Sequence, residues 1–427
     1  MEAEMKGGPT KREFNSHWFN LFNAVASQAM MGTPVILLAN SLEASALFLG
    51  IVTSLSPLGT ILQLPTARFL HASEYRTTLL VGWFLRTVFI FPVALLPLAS
   101  FLDQEAKLVL LLLLLVTFNV LRGISTAAWW PWIAELIPED RRGRFLARDQ
   151  LFTYAGGMCA LAIYGWVMSR DAHGAAFTQA FLIGAGCGLL SLGFLARMPK
   201  PFPTRRALRS GDAVGWRAAF YERRFFKLIG LNVVLMLVVG SLNVFAVQFL
   251  RDIQDFSPES ILYLSAIMFL GPLASLSFLG KWTDRRGPEP VLVGVFAIYG
   301  CVTSGWLLIA LGILPCAFLL VALLQILGGI ASAVFNVANI HLVLKVIPEI
   351  GRNRFLAMFT VITSLALGTA PVFFGWFLDA LGDRTFSFSG EFFGRHAIYF
   401  AILCMLSAGG LVAASCWLIK RPPRTAP

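Results

Sequence analysis

Twelve stretches of about 20 apolar residues run through this chain, at approximately 17–41, 45–68, 78–101, 107–135, 149–168, 175–197, 225–250, 258–281, 290–311, 314–345, 356–380 and 396–419. A helix needs about 20 apolar residues to cross a hydrocarbon core about 30 Å thick. Each stretch therefore reads as a membrane span, and the 427 residues leave little for a soluble domain. Composition agrees. Only 13% of residues are charged, against about 25% in a soluble globular domain, and the mean hydropathy is +0.74. A disordered chain, poor in apolar groups and rich in charge, is excluded.

The net charge of +11 is a topology signal. With the N-terminus placed in the cytoplasm, the inner segments hold 27 of the 34 Lys and Arg residues. The outer loops hold Lys107, Arg170, Arg251, Arg384 and Arg395, and Arg86 and Arg122 fall inside spans. Lys and Arg concentrate on the cytoplasmic side of a membrane. A miscounted span would move every later loop to the other side. Both termini are expected in the cytoplasm, with the chain in the cytoplasmic membrane. No nucleic-acid partner is expected, and no cofactor.

The first 16 residues are polar and lack a charged stub, apolar run and small-residue cleavage site, so no cleavable signal peptide is expected. The six cysteines at 159, 187, 301, 316, 404 and 416 form no CxxC pair and read as small buried hydrophobes.

The chain also repeats itself. Ile137-Pro-Glu-Asp-Arg-Arg-Gly-Arg-Phe-Leu-Ala147 follows the fourth span, and Ile347-Pro-Glu-Ile-Gly-Arg-Asn-Arg-Phe-Leu-Ala357 follows the tenth. Eight of these 11 positions match at an offset of 210. Just upstream, Leu121 to Ala127 aligns with Leu327 to Ala333 at an offset of 206. Two homologous halves are expected: an all-α membrane protein of 12 transmembrane helices in two pseudo-symmetric six-helix bundles. The boundaries are a cytoplasmic tail at 1–16, a first bundle at 17–197, a basic linker at 198–224, a second bundle at 225–419 and a cytoplasmic tail at 420–427. The linker reads as a solvated charge run that holds topology.

Residues 280–287, Gly-Lys-Trp-Thr-Asp-Arg-Arg-Gly, lie between the eighth and ninth spans. They resemble the G-x-x-x-D-R-x-G loop of the major facilitator superfamily. The Pro-Glu-x-x-Arg-x-Arg elements after spans 4 and 10 resemble that family too. Two parallel six-span repeats are its architecture. At the matching place in the first half, Leu70 to Thr77 keeps only an acid and one arginine, and span 5 carries Ala155-Gly156-Gly157 without the Gly-Pro pair of the drug:proton antiporters. The resemblance implies alternating access, with an inner gate at Gly280, Asp284, Arg285 and Gly287. Glu139, Arg144, Glu349 and Arg354 are its candidate partners, and bends at Pro34, Pro371, Gly368 and Gly375 serve the motion.

Asparagine marks the cargo site. Of ten, Asn15 and Asn353 lie in loops and Asn40 at a helix end. The other seven fall only in spans 1, 4, 7 and 10. Chance placement among 12 spans of about 20 residues would do this on the order of 1 time in 2,000. Amides are costly against lipid and face protein or a wet cavity. At roughly 100° per residue, Asn20 and Asn23 share a face of span 1; Asn119, Arg122, Thr126 and Trp129 share one of span 4. Asn232 and Asn243 share one of span 7, and Gln325, Ser332, Asn336 and Asn339 one of span 10. In the family these four helices line the central cavity. The alternative use of such groups is interhelical hydrogen bonding.

Arg122 sits halfway along span 4, where an arginine costs roughly 2.5–3.5 kcal/mol. Two roles are open to it: binding an anionic group on the cargo, or pairing with an acid that takes up a proton. The second lacks a visible partner, since no Asp or Glu reads as mid-span; Glu135 and Asp379 lie near span ends. Arg86 reads as snorkelling inward. His341 reads as the one histidine within a span, in a packing role. Trp129, Trp130 and Trp132 offer a stacking surface or a membrane-boundary belt.

The function expected is secondary active transport of a small polar organic solute, with anions among the candidates, by a monomer in the lipid bilayer, with a proton or other ion as coupling partner. No nucleotide-binding loop of the G-x-x-x-x-G-K-[ST] type occurs. Export of hydrophobic, drug-like or lipid-like compounds, or a non-transporting receptor or assembly factor on the same fold, are the alternatives. The five histidines form no ligand cluster of the kind a membrane enzyme needs, so no metal is expected.

Overall fold

The computed structural model describes residues 11–71, 74–170, 174–199, 223–275, 287–347, 352–382, 384, 386–388 and 391–419. Twelve helices among them are long and apolar enough to cross a membrane. We number them α1 (Glu13–Ser41), α2 (Ala46–Ala67), α3 (Tyr75–Leu98), α4 (Gln104–Leu136), α5 (Arg141–Met168), α6 (Gly174–Ala196), α7 (Arg223–Asp252), α8 (Pro258–Ser275), α9 (Pro288–Ala310), α10 (Phe318–Val346), α11 (Arg354–Leu381) and α12 (Arg395–Leu418). The chain is an integral membrane protein of the expected helical class. A short antiparallel hairpin, β1 (Phe386–Phe388) and β2 (Glu391–Phe393), stands between α11 and α12.

Proline sets the breaks inside several spans, because it lacks the N–H that the helix ladder needs. The first helix stops at Met31 and restarts at Thr33, with Pro34 at its new start. In α4 the helix stops at Thr126 and resumes at Trp129, where Pro131 cannot donate to Ala127. Pro57 and Pro371 are accommodated inside α2 and α11.

One boundary departs from the sequence reading with consequences for the site. The helix that contains α5 begins at Glu139, ten residues before the expected start of span 5. The charged run 139–148 reads as loop by hydropathy, yet it is helical. Asp149 therefore stands well inside a helix.

The chain divides into two compact units. Unit 1 comprises Met1–Ala44, Leu55–Arg209 and Phe256–Ala266; unit 2 comprises Ser45–Ser54, Ser210–Asp255 and Ile267–Pro427. Within unit 1, α1 packs on α5 and α6, and α3 on α4 and α6. Within unit 2, α7 packs on α11 and α12, and α9 on α10 and α12. Adding six to each helix number turns the first set of pairings into the second.

The duplicated glycines carry the same job in both units. A Cβ on Gly123 would collide with the carbonyl oxygen of Gly59 on α2, and one on Gly329 with the carbonyl oxygen of Met268 on α8. Only glycine lets these backbones approach so closely. Aromatic rings fill each core: Phe19, Trp83, Trp129, Trp132 and Phe145 in unit 1, and Phe245, Phe249, Trp306, Tyr399 and Phe400 in unit 2.

Two expectations fail here. Cys159, Cys301 and Cys416 are exposed on their helices rather than buried, and the other three are partly so; all six are free thiols. A cysteine is apolar enough to face lipid as readily as protein. His341 is not the one histidine within a span: His17 and His396 lie in α1 and α12 and are buried, at 4% and 3% exposure.

Candidate functional site

The polar groups of unit 1 converge on three contacts between helices. The first joins α1 to α3. Asn23 Oδ1 accepts from Trp83 Nε1 at 2.9 Å and from Arg86 Nη2. The Arg86 guanidinium lies 4.7 Å from the Trp83 ring centre and 5.5 Å from that of Phe118. Such faces attract a cation. Arg86 is 2% exposed, so it does not snorkel. The reason is depth: position 86 is 11 residues from the start of α3, about 16 Å along the axis, beyond an arginine's reach.

The second contact joins α4 to α2. Arg122 Nη2 donates to Ser56 O at 2.7 Å and to Ser56 Oγ at 2.9 Å. Ser56 lies one turn before Gly59, so the close crossing of Gly123 over Gly59 brings donor and acceptors together. Arg122 Nε and Arg86 Nε are buried without a hydrogen-bond partner. Among the described residues, neither arginine lies in an ion pair, and the two positive charges repel each other.

The third contact joins α1 to α5, and nothing in the sequence reading singled it out. Asp149 is 8% exposed. Its Oδ1 accepts from Ser16 Oγ at 3.2 Å and pairs with His17 Nδ1 at 2.8 Å; its Oδ2 accepts from Asn20 Nδ2. The His17 ring is stacked between Phe145 at 5.3 Å and Phe152 at 5.1 Å, both on α5. His17 Nε2 is buried without a partner. The missed signal was helical spacing: positions 145, 149 and 152 fall on one face.

The remaining residues of the asparagine pattern divide by environment. Asn119 and Asn232 are buried, at 4% and 1%. Each donates at 2.9 Å to the carbonyl four residues earlier, Leu115 and Leu228, and each leaves its Oδ1 buried and unpaired. Thr126 bonds back to Arg122 O at 2.7 Å. Trp129 is packed in the aromatic core, 5.1 Å from Phe19, while Trp130 is 57% exposed. In unit 2, Gln325 is buried, Asn243 half-buried and Asn336 exposed. Ser332 is hydrogen-bonded to Tyr299 OH at 2.8 Å, and Asn339 keeps a buried, unpaired Oδ1.

Of the gate residues, Gly280, Asp284, Arg285 and Glu349 lie outside the described residues, as does the Glu139 side chain. Gly287 has φ 77° and begins α9 ahead of Pro288, a conformation that favours glycine. Arg144 is exposed and Arg354 half-buried.

The chain's sequence matches the model of the Major Facilitator Superfamily over residues 18–323 and 229–427. Among solved structures, the nucleoside transporter NupG superposes with a TM-score of 0.68 at 15% identity, covering 96% of this chain and 99% of that one. The xylose transporter XylE from E. coli, in an inward open conformation, gives 0.69 at 12% identity, with 97% of each chain covered. A bacterial homologue of the iron transporter ferroportin gives 0.67 at 16% identity, covering 96% and 98%. At these identities the likeness is one of fold. No curated protein matches the sequence.

Proposed function

This chain belongs to the Major Facilitator Superfamily, and from that premise we propose that it is a secondary active transporter of a small, polar, anionic organic solute, working by alternating access. The observation that carries the anionic cargo is the pair of guanidinium groups inside unit 1. A buried charge is normally paired. Arg86 and Arg122 have neutral acceptors only, and each has a buried N–H to spare. Asp149, a buried carboxylate of unit 1, has both oxygens engaged elsewhere. A carboxylate or phosphate on the cargo would supply the missing charge, and arginine holds such groups through two N–H donors at once.

The amides at 23, 119, 232, 243, 325, 336 and 339, with Ser332 and Thr126, are in this reading the polar surface that recognises the rest of the solute, and Trp129 backs it; Asn20, expected with them, is taken up by Asp149. Gly280, Asp284, Arg285 and Gly287, with Glu139, Arg144, Glu349 and Arg354, form the inner gate. Both termini face the cytoplasm, and each six-helix half moves as a monomer's rocking bundle.

The test is uptake into proteoliposomes of three probe anions: inorganic phosphate, glycerol 3-phosphate and glucuronate. Arg122→Ala should lower uptake of the transported probe at least about 30-fold, equivalent to ~2 kcal/mol. Arg122→Lys, a point charge without the fork, should recover only part. Near-normal uptake by Arg122→Ala sinks the reading.

A further inference from the structure

The polar contact between α1 and α5 is not repeated at the matched positions among the described residues of unit 2, and the duplication makes that comparison direct. Phe145 and Phe355 occupy the same place in the repeated element, at an offset of 210. In unit 1 the Phe145 ring faces His17. In unit 2 the Phe355 ring meets Phe225 edge-on at 5.0 Å, and both phenylalanines are buried. The position matching Asp149 is Phe359. At these matched positions unit 2 thus places apolar rings where unit 1 places polar groups.

We propose that Ser16, His17, Asn20 and Asp149 form a proton-binding site of unit 1, separate from the arginine pair, in which His17 Nε2 is the atom that takes the proton. Its geometry suits that task. The carboxylate of Asp149 collects three donors, from Ser16, His17 and Asn20. With His17 Nδ1–H on Oδ1, the lone pair of Nε2 is free, and the structure leaves that atom buried without a partner. A proton from water adds to Nε2 while Nδ1 keeps its own. The cluster then passes from a single negative charge to a neutral imidazolium–carboxylate pair. The Phe145 and Phe152 rings stack on the His17 ring, at 5.3 and 5.1 Å. Since Nε2 is sealed, exchange of the proton requires α1 to shift against α5. Proton loading and helix movement are therefore tied together.

Other titratable groups on the packed elements are placed to modulate this. Glu13, one turn back on α1, is buried at 8%. On α5, Arg141 and Arg142 are half-buried and Arg144 and Arg148 exposed, with Tyr154 five residues beyond Asp149; on α6, Cys187 is half-buried, and Arg197 just past its end is exposed. Arg142 is held by the carbonyls of Ala134 and Ile137.

The use of the proton, driving transport, rests on the transporter reading; the site itself does not. The test uses the full chain in nanodiscs of phosphatidylcholine and phosphatidylglycerol, labelled with 15N in histidine. His17→Phe identifies the His17 signals by their loss. On acidification from about pH 9 to about pH 4, His17 should show one step in which Nε2 gains a proton. In Asp149→Asn that step should move by about one pH unit or more, a tenfold change in proton affinity. A ring that keeps one neutral tautomer over the whole range, or a step that Asp149→Asn leaves in place, overturns the proposal. A purely structural pairing is separated by His17→Phe, which copies unit 2: it should fold with near wild-type thermal stability yet take up one proton fewer per chain. Unchanged proton uptake overturns the proposal too. With glycerol 3-phosphate as probe, Arg122→Ala should leave the His17 step intact. A normal His17 step in a chain that moves none of the probe anions supports this site and counts against the anionic cargo alone.

Discussion

At the scale of single residues, the informative groups are those the fold leaves incompletely satisfied. Asn232 illustrates the point. Its amide donates to its own helix and its Oδ1 is buried without a donor, a state that costs roughly 1–3 kcal/mol. We expect Asn232→Leu to unfold at the same temperature as wild type or higher, by thermal denaturation in detergent, while transport falls at least about tenfold. A loss of stability with full transport would assign Asn232 to packing. Arg86 and Arg122 follow the same logic with a full charge. Sequence alone placed Arg122 correctly at mid-helix, where the structure leaves it half-buried. It misjudged Arg86, because snorkelling depends on distance to the surface, and it overlooked Asp149 because a charged run looks like loop until its helical face meets His17.

At the scale of elements, the helices owe their spacing to glycine and their ends to caps. The crossings of Gly123 on Gly59 and of Gly329 on Met268 have no room for a side chain. Gly123→Val and Gly329→Val should each destabilise by about 2 kcal/mol or more, since overpacking a close contact costs about 1–3 kcal/mol. Gly143→Ala, with open space around it, is the control and should leave the melting temperature unchanged. Within unit 2, the N-terminus of α2 is capped by Asp379, whose two oxygens accept from Ala46 N at 3.0 Å and Leu47 N at 2.8 Å. Nearby, a Cβ on Gly50 would strike the carbonyl oxygen of Pro371. Asp379→Ala removes the cap and should cost about 1 kcal/mol, read as a lower unfolding temperature. These elements were legible as twelve spans from apolar length. The cap was not, because its partners are more than 300 residues apart in sequence.

At the scale of the whole molecule, duplication and divergence are visible together. Helix pairings repeat with a shift of six, and the Pro-Glu-x-x-Arg-x-Arg element follows α4 and again α10 in the sequence. Yet the intramembrane arginines and the His17–Asp149 pair all belong to unit 1. Arg122 has Gly328 at its repeated position. These charged groups thus stand in one half of a duplicated frame. The 27-to-5 split of Lys and Arg predicts that cysteines introduced at the two chain ends are both labelled from the cytoplasmic side; labelling from opposite sides would refute an even number of crossings.

By itself the sequence determined the number of helices and their repeat, because lipid admits only long apolar segments and so writes the fold into local composition. It also marked asparagines and arginine as out of place in that solvent. Which of them meet, and which are left with a bare donor or acceptor, only the tertiary structure decided. Those pairings depend on where glycines let helices cross and on which faces turn toward each other, and both are set by contacts between residues far apart in the chain.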